Sequence, residues 1–162
     1  MSHLKLTIEP IPAGSRLASL AKLLPSGQWS RIRHEVYRKA GFRCQICGHE
    51  GQLNCRELWQ YNEQSRHQWL QGFQALCSDC HAAKHLLFTR DSHLRARLVE
   101  HFMRVNHLTR EQAQEYIHAA RQRQQNLNQR QWTINYGAYN WQVPPLAGLN
   151  QRQAFIKCMG SR

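Results

Sequence analysis

The sequence predicts an α+β fold: a small zinc-bound core of two strands and a helix, preceded by an N-terminal helix and followed by a helical extension. Three observations predict it. Two knuckles, Cys44-Gln-Ile-Cys47 and Cys77-Ser-Asp-Cys80, have the two-residue spacer that lets both sulfurs reach one ion. Between them lie two runs rich in aromatic and aliphatic residues, the pattern of a hairpin. Beyond them, apolar residues recur at helical period.

At the start of the chain, Leu4, Leu6 and Ile8 alternate with Lys5 and Thr7, which predicts a short strand ended by Pro10 and Pro12. Residues 15–24 predict a small apolar helix closed by Pro25, Ser26 and Gly27. Ser30 is placed to cap the next helix, whose apolar positions Ile32, Val36 and Ala40 recur every four residues, and Gly41 to terminate it. This helix delivers the chain to the first knuckle. Residues 53–61 and 69–76 predict antiparallel strands around a polar turn at 62–66, and a helix follows near Cys77 or Ser78 with Ser78 and Asp79 in its first turn.

Further on, Asp91 or Ser92 can cap a helix with Leu94, Leu98, Phe102 and Val105 on one face. Thr109 and Gln112 have the form of a capping box, opening a helix that turns Ala113, Tyr116, Ile117 and Ala120 inward. Residues 121–131 are dense in Gln, Asn and Arg and read as a solvated continuation or as a basic helix end along a phosphate backbone. Trp132, Ile134 and Tyr136 alternate with polar residues, a late strand. The expected segments are thus 1–28, a zinc core at 29–90, a helical extension at 91–131, and a strand with tail at 132–162.

The chain has 162 residues, and its charge excludes few partners more firmly than it favours one: 22 Lys+Arg stand against 10 Asp+Glu, a formal +12. Such a field attracts polyanions, so nucleic acid is the leading partner class. No apolar stretch approaches bilayer length, and residues 1–24 are broken by Glu9, Pro10, Pro12 and Gly14, so neither a membrane span nor a signal sequence is expected. A cytoplasmic, reducing compartment follows as an expectation, in which paired Cys-x-x-Cys motifs are metal sites rather than disulfides. Four thiolates leave no open position, so the zinc is structural. Cys55 and Cys158 remain over: Cys55 is a buried small residue or a neighbour of the active site, and nothing makes Cys158 reactive.

His81 and His85 run on from the second knuckle. If the chain is helical there, a spacing of four puts both rings on one face, close enough to hold a second ion or a phosphate.

These residues resemble the HNH endonucleases with their ββα-metal motif. The resemblance is carried by the first knuckle, by Cys55-Arg56-Glu57-Leu58-Trp59-Gln60-Tyr61, and by Leu76-Cys77-Ser78-Asp79-Cys80-His81-Ala82-Ala83-Lys84-His85. It is closest to a bacterial branch whose central strand bears a His-Glu pair two positions before a tryptophan. It covers residues 29–85, with a weaker similarity at Arg104-Val105-Asn106 and Trp132. The resemblance implies a metal-dependent endonuclease acting on DNA, with Mg²⁺ or another divalent ion beside the structural Zn²⁺. Residue by residue, His81 and His85 would be ion ligands or phosphate contacts and Glu57 a ligand or water-orienting carboxylate, these three forming the catalytic set. Arg56 and Lys84 would contact nucleic acid.

The chain departs from the pattern at two positions. Arg56 stands where the branch has its strand histidine, and Gly72 where many HNH enzymes have an asparagine. Arginine stays protonated and cannot be the general base. Glu57, His67 or His49 would have to replace it. An alternative is therefore a catalytically degenerate HNH domain that binds nucleic acid or docks with other subunits of a nucleoprotein complex. A purely structural zinc module ranks last, because it leaves the charge and the histidine pair unexplained.

Overall fold

A computed structural model describes residues 4–15 and 19–140. Its helices α1 (Leu20–Leu23) and α2 (Ser26–Lys39) are followed by strands β1 (Leu53–Asn62) and β2 (His67–Cys77). Helices α3 (Ser78–Lys84), α4 (Ser92–Asn106) and α5 (Arg110–Asn128) and strand β3 (Thr133–Asn135) complete the order. The fold is mixed α/β, with one three-stranded sheet in the order β1-β2-β3.

β1 and β2 form an antiparallel hairpin that pairs Leu53 with Cys77 and Asn62 with His67. Asn62 organises its turn by accepting from the backbone N–H groups of Gln64 and Ser65, both at 3.0 Å. The register shifts between Leu58 and Trp59, opposite Gly72, so Gln71 is an extra residue that bends the ladder. β3 adds to β2 in parallel, so the expected late strand is present but short.

The first expectation to fail is a strand at Leu4–Ile8. Leu6 and Ile8 are buried as alternation requires, yet residues 4–8 are not a strand. Instead, Asn106 acts as the pairing partner: its side chain accepts from Leu6 N–H (3.0 Å) and donates to Leu6 C=O (2.8 Å). Glu9 N–H then donates to Lys84 C=O at 2.9 Å. Period-two burial is satisfied by docking onto helices.

The apolar helix expected at 15–24 reduces to a 3₁₀ turn at Ala13–Ser15 and the single turn of α1, while residues 16–18 lie outside the described residues. α2 starts at Ser26 rather than after Ser30, because Pro25 has the φ that suits a helix start and leaves the first turn free to form. Its apolar stripe is half-buried; no residue of α2 is fully buried. Gly41, with φ of 61°, ends it in the left-handed conformation expected of a helix stop.

α3 begins at Ser78 with Cys77 as its cap, α4 is capped by Asp91 (Leu94 N–H to Oδ1, 2.6 Å), and Thr109 and Gln112 form the anticipated capping box. Leu98 and Phe102 are buried on α4, whereas Leu94 is exposed. α5 runs on to Asn128, so most of 121–131 is indeed helix; Gln124 and Leu127 turn inward from it.

Two apolar clusters result. One joins Leu6 and Ile8 to Cys44, Leu76, Cys80, Ala83, Leu98, Phe102 and Ala113. It therefore spans the segments expected as 1–28, 29–90 and 91–131. The other joins Leu20 and Leu24 to Ile134 and Tyr136. A cleft lies beside the second cluster, lined in part by its Trp29 and Trp59. The tail from Trp141, with Cys158, lies outside the described residues.

Candidate metal centre and adjoining cleft

The turn after α2 is held to the sheet before any metal is considered. Cys44 N–H donates to His49 C=O and Gly48 N–H to Cys44 C=O, both at 2.9 Å, closing the knuckle. Gln45 ties it to β2 at both ends: its N–H donates to Ala75 C=O (3.0 Å) and its Oε1 accepts from Ala75 N–H (2.8 Å). The second knuckle spans the β2–α3 junction, where Cys77 Sγ accepts from Cys80 N–H at 3.5 Å.

Sulfurs from the two knuckles converge. Cys44, Cys47, Cys77 and Cys80 place their Sγ atoms within 4.8 Å of one another, with Cys47 and Cys77 3.6 Å apart. A tetrahedral ion bonded at about 2.3 Å separates its sulfurs by about 3.8 Å, so the four thiols fit a zinc ion. Burial pushes the Cys77 thiol up to about 11 and raises Cys80 further, with neighbouring thiolates adding to it. A bound dication is what lets all four ionise together.

An outer contact was missed from sequence. His101 Nε2 on α4 lies 3.1 Å from Cys80 Sγ, and Arg104 Nη2 lies 2.9 Å from His101 Nδ1. Guanidinium can only donate, so Nδ1 accepts and Nε2–H donates to the sulfur. The available signal is a His-x-x-Arg pair one turn apart on a helix that had to cover the knuckles.

The cleft has a volume of about 480 Å³ and is lined by residues that include Trp29, Arg56, Glu57, Tyr61, His81 and His85. The His81 and His85 rings meet at 5.0 Å and 73°, on one side of α3 as their spacing predicts. Both imidazoles are held below the ordinary histidine range, by burial first and then by the Arg56 guanidinium; His85 falls to about 4. They are neutral at pH 7.

Arg56 and Lys84, expected to contact nucleic acid, are both largely buried and share one acidic partner. The Lys84 side chain is 5% exposed, and its ammonium donates to Glu9 Oε1 (2.8 Å) and Thr7 Oγ1 (3.3 Å). Burial of its stem in the α3 core withdraws it from any strand. Arg56 is nearly as buried and donates to Glu9 Oε2 through Nε (3.1 Å) and Nη2. Its Nη1 lies 2.5 Å from His85 Nε2. Glu9, read in the sequence only as a break in residues 1–24, is thus the shared anion of both cations, and they hold its carboxyl below its usual range despite burial.

Glu57 lines the same cleft but is directed elsewhere. Its Oε1 accepts from Leu20 N–H (2.6 Å) and Ser19 Oγ (3.1 Å), and Trp59 Nε1 lies 3.4 Å from Oε2. Burial raises its pKa against these bonds. Among the described residues, the four cysteines are the one group of three or more His, Cys, Asp or Glu side chains within ligating reach of each other. Glu57, His81 and His85 as arranged do not fit a second divalent ion, since His85 Nε2 faces a cation and the Glu57 carboxylate is engaged at α1.

The candidate replacement bases lie apart from this set. His67 stacks on Trp69 at 5.5 Å with Nδ1 2.8 Å from Ser65 C=O, and His49 is exposed beside the zinc knuckle. Cys55 lines the cleft, and burial together with Glu57 pushes its thiol up to about 12, so it is protonated.

The geometry defines a mixed α/β protein with a four-thiol cluster able to hold a metal ion and, apart from it, a cleft lined by Arg56, Glu57, His81 and His85. No family model matches the chain, and no curated protein or solved structure is significantly similar to it. Among the described residues, no helix is long and apolar enough to cross a membrane.

Proposed function

We propose that this chain is a zinc-built domain of the HNH type that binds DNA along the cleft without relying on a divalent ion for hydrolysis. A hairpin between two converging knuckles, and a short helix that starts at the second knuckle and carries His81 with His85 as its C-cap, support the HNH reading. The observation that carries the binding function is the distribution of charge around the cleft. Arg33 on α2 lies within electrostatic reach of Cys55 at one part of its lining, and Arg123 on α5 within reach of Tyr61 at another. Arg31 and Arg33 are exposed on α2, whereas Arg38 and Lys39 of the same helix pair with Glu35. Trp29, Trp59 and Tyr61 supply π-faces beside these charges, the combination that takes up unpaired bases and their backbone.

Fluorescence anisotropy of labelled duplex and single-stranded DNA, and of the matching RNA, tests this across rising KCl. Affinity should fall steeply with salt, because each neutralised phosphate releases counterions. Arg33→Gln and Arg123→Gln should each weaken binding and reduce the salt slope by about 1. Salt-insensitive binding, or none at low salt, would overturn the proposal, and tighter RNA binding would reassign the partner.

Divalent-ion hydrolysis of DNA is the second reading, favoured by the presence of Glu57, His81 and His85 in one cleft. Plasmid relaxation in Mg²⁺ or Mn²⁺ that disappears in His81→Ala would restore it. Docking to other subunits of a nucleoprotein complex would use the same basic surface.

A further inference from the structure

Glu57, Trp59 and Tyr61 stand two residues apart on β1, so they share one face of the strand, and all three line the cleft. The two aromatic rings are set before any ligand arrives: Trp59 meets Tyr136 edge-on at 5.6 Å, and Tyr61 meets Trp132 edge-on at 5.2 Å. Trp29 and Phe88 line the same space. Its volume of about 480 Å³ lies within the roughly 300–1,000 Å³ of small-molecule sites.

The charges nearest this space balance. Arg56 and Lys84 are matched by Glu9 and Glu57, and the His81 and His85 imidazoles are neutral at pH 7. Such walls suit a flat neutral ligand with polar edges better than a phosphate. Phosphates have the exposed Arg33 on α2 and Arg123 on α5 at the margins.

Glu57 divides its two oxygens. Although turned from the histidines, it commits only Oε1 to α1, where Leu20 N–H (2.6 Å) and Ser19 Oγ (3.1 Å) donate to it. Among the described residues, Oε2 receives only the long 3.4 Å contact from Trp59 Nε1. Burial works against this carboxylate, so a donor brought to Oε2 relieves part of its cost.

We propose that the cleft receives one unpaired nucleobase and that Glu57 Oε2 accepts from an amino group on its edge. This rests on the reading that the chain binds DNA, and it names what the cleft selects. Cytosine offers an amino group where uracil and thymine offer a carbonyl oxygen, and an acceptor facing a carboxylate makes no bond. The aromatic rings stack on the base whatever its identity, while Glu57 supplies the choice.

Competition anisotropy with single-stranded oligo(dC) and oligo(dU) of equal length, on zinc-loaded full-length protein, tests this, since the two differ at the amino group. Oligo(dC) should bind at least about tenfold more tightly, the worth of one hydrogen bond to a charged group. Glu57→Gln keeps an oxygen for Leu20 N–H and places an amide donor at the other position, so it should erase that preference. Arg33→Gln should instead weaken both oligonucleotides alike and keep their ratio. Equal affinities in the unaltered chain overturn the proposal, as does a dC preference that persists in Glu57→Gln with zinc content and circular dichroism retained. Saturation-transfer NMR with free deoxycytidine and deoxyuridine reads the pocket without a backbone. Uptake of deoxycytidine by a protein that binds neither oligonucleotide would sink the DNA reading and keep the base pocket; uptake of neither nucleoside by such a protein would sink both.

Discussion

Glu9 is the residue on which the cleft depends most. Its carboxylate is the common partner of Arg56 and Lys84, both nearly excluded from solvent. Removing one partner of a buried ion cluster strands the others, at a cost of about 3–5 kcal/mol. Glu9→Gln should therefore lower stability by about that amount in urea unfolding, whereas Glu50→Gln, which loses an exposed ion pair with Arg43, should change it by less than about 1 kcal/mol. Equal effects would mean the Glu9 cluster is solvated. His85 adds a pH dependence of definite sign. Its folded pKa of about 4 lies below the ordinary 6.5, so the fold favours the neutral ring. Above 6.5 neither state is protonated and the contribution is whole; as pH falls from 6.5 towards 4 the unfolded chain takes up the proton first and stability drains away. Melting temperatures across that window should fall more for the unaltered chain than for His85→Gln, and parallel curves would contradict the assigned environment. Zinc loss at acid pH is common to both chains and cancels.

At the scale of elements, α4 is fastened to the metal centre as well as to the apolar core. Leu98 and Phe102 fill the cluster beside Cys80, and His101 from the same helix donates to the Cys80 sulfur. Outer partners of this kind alter metal affinity by about 10–100-fold. Competition with a chromophoric zinc chelator should show His101→Ala releasing zinc at least about tenfold more readily, with Arg104→Ala intermediate; unchanged release would make the contact incidental. The elements with their own local signals were legible: α3 from its knuckle, α5 from its capping box, and the hairpin from alternation around a polar turn. The strand at Leu4–Ile8 was not, because alternation reports one buried face and is silent on whether a strand or the Asn106 amide meets the backbone. The pairing of Arg56 and Lys84 was hidden for a related reason. Their partner Glu9 is 47 and 75 residues away, and local sequence carries no trace of that pairing.

For the whole molecule, a chain of formal charge +12 folds around two apolar clusters joined by one hairpin, with Arg56 and Lys84 paired to Glu9 in the interior and many of its other arginines exposed. Composition revealed the first half of that statement and tertiary pairing the second. The four-sulfur centre is what links them, since it fixes the end of α2, the end of β2 and the start of α3 at one point and so presents the histidine pair to the cleft. Metal analysis of protein purified without chelator, combined with the absorption spectrum after cobalt exchange, tests this most directly. One zinc per chain is predicted, with intense thiolate-to-cobalt bands of tetrahedral character that vanish in Cys47→Ser/Cys80→Ser. A metal-free protein that keeps its cooperative unfolding transition, or a cobalt spectrum of six-coordinate oxygen and nitrogen type, would contradict it.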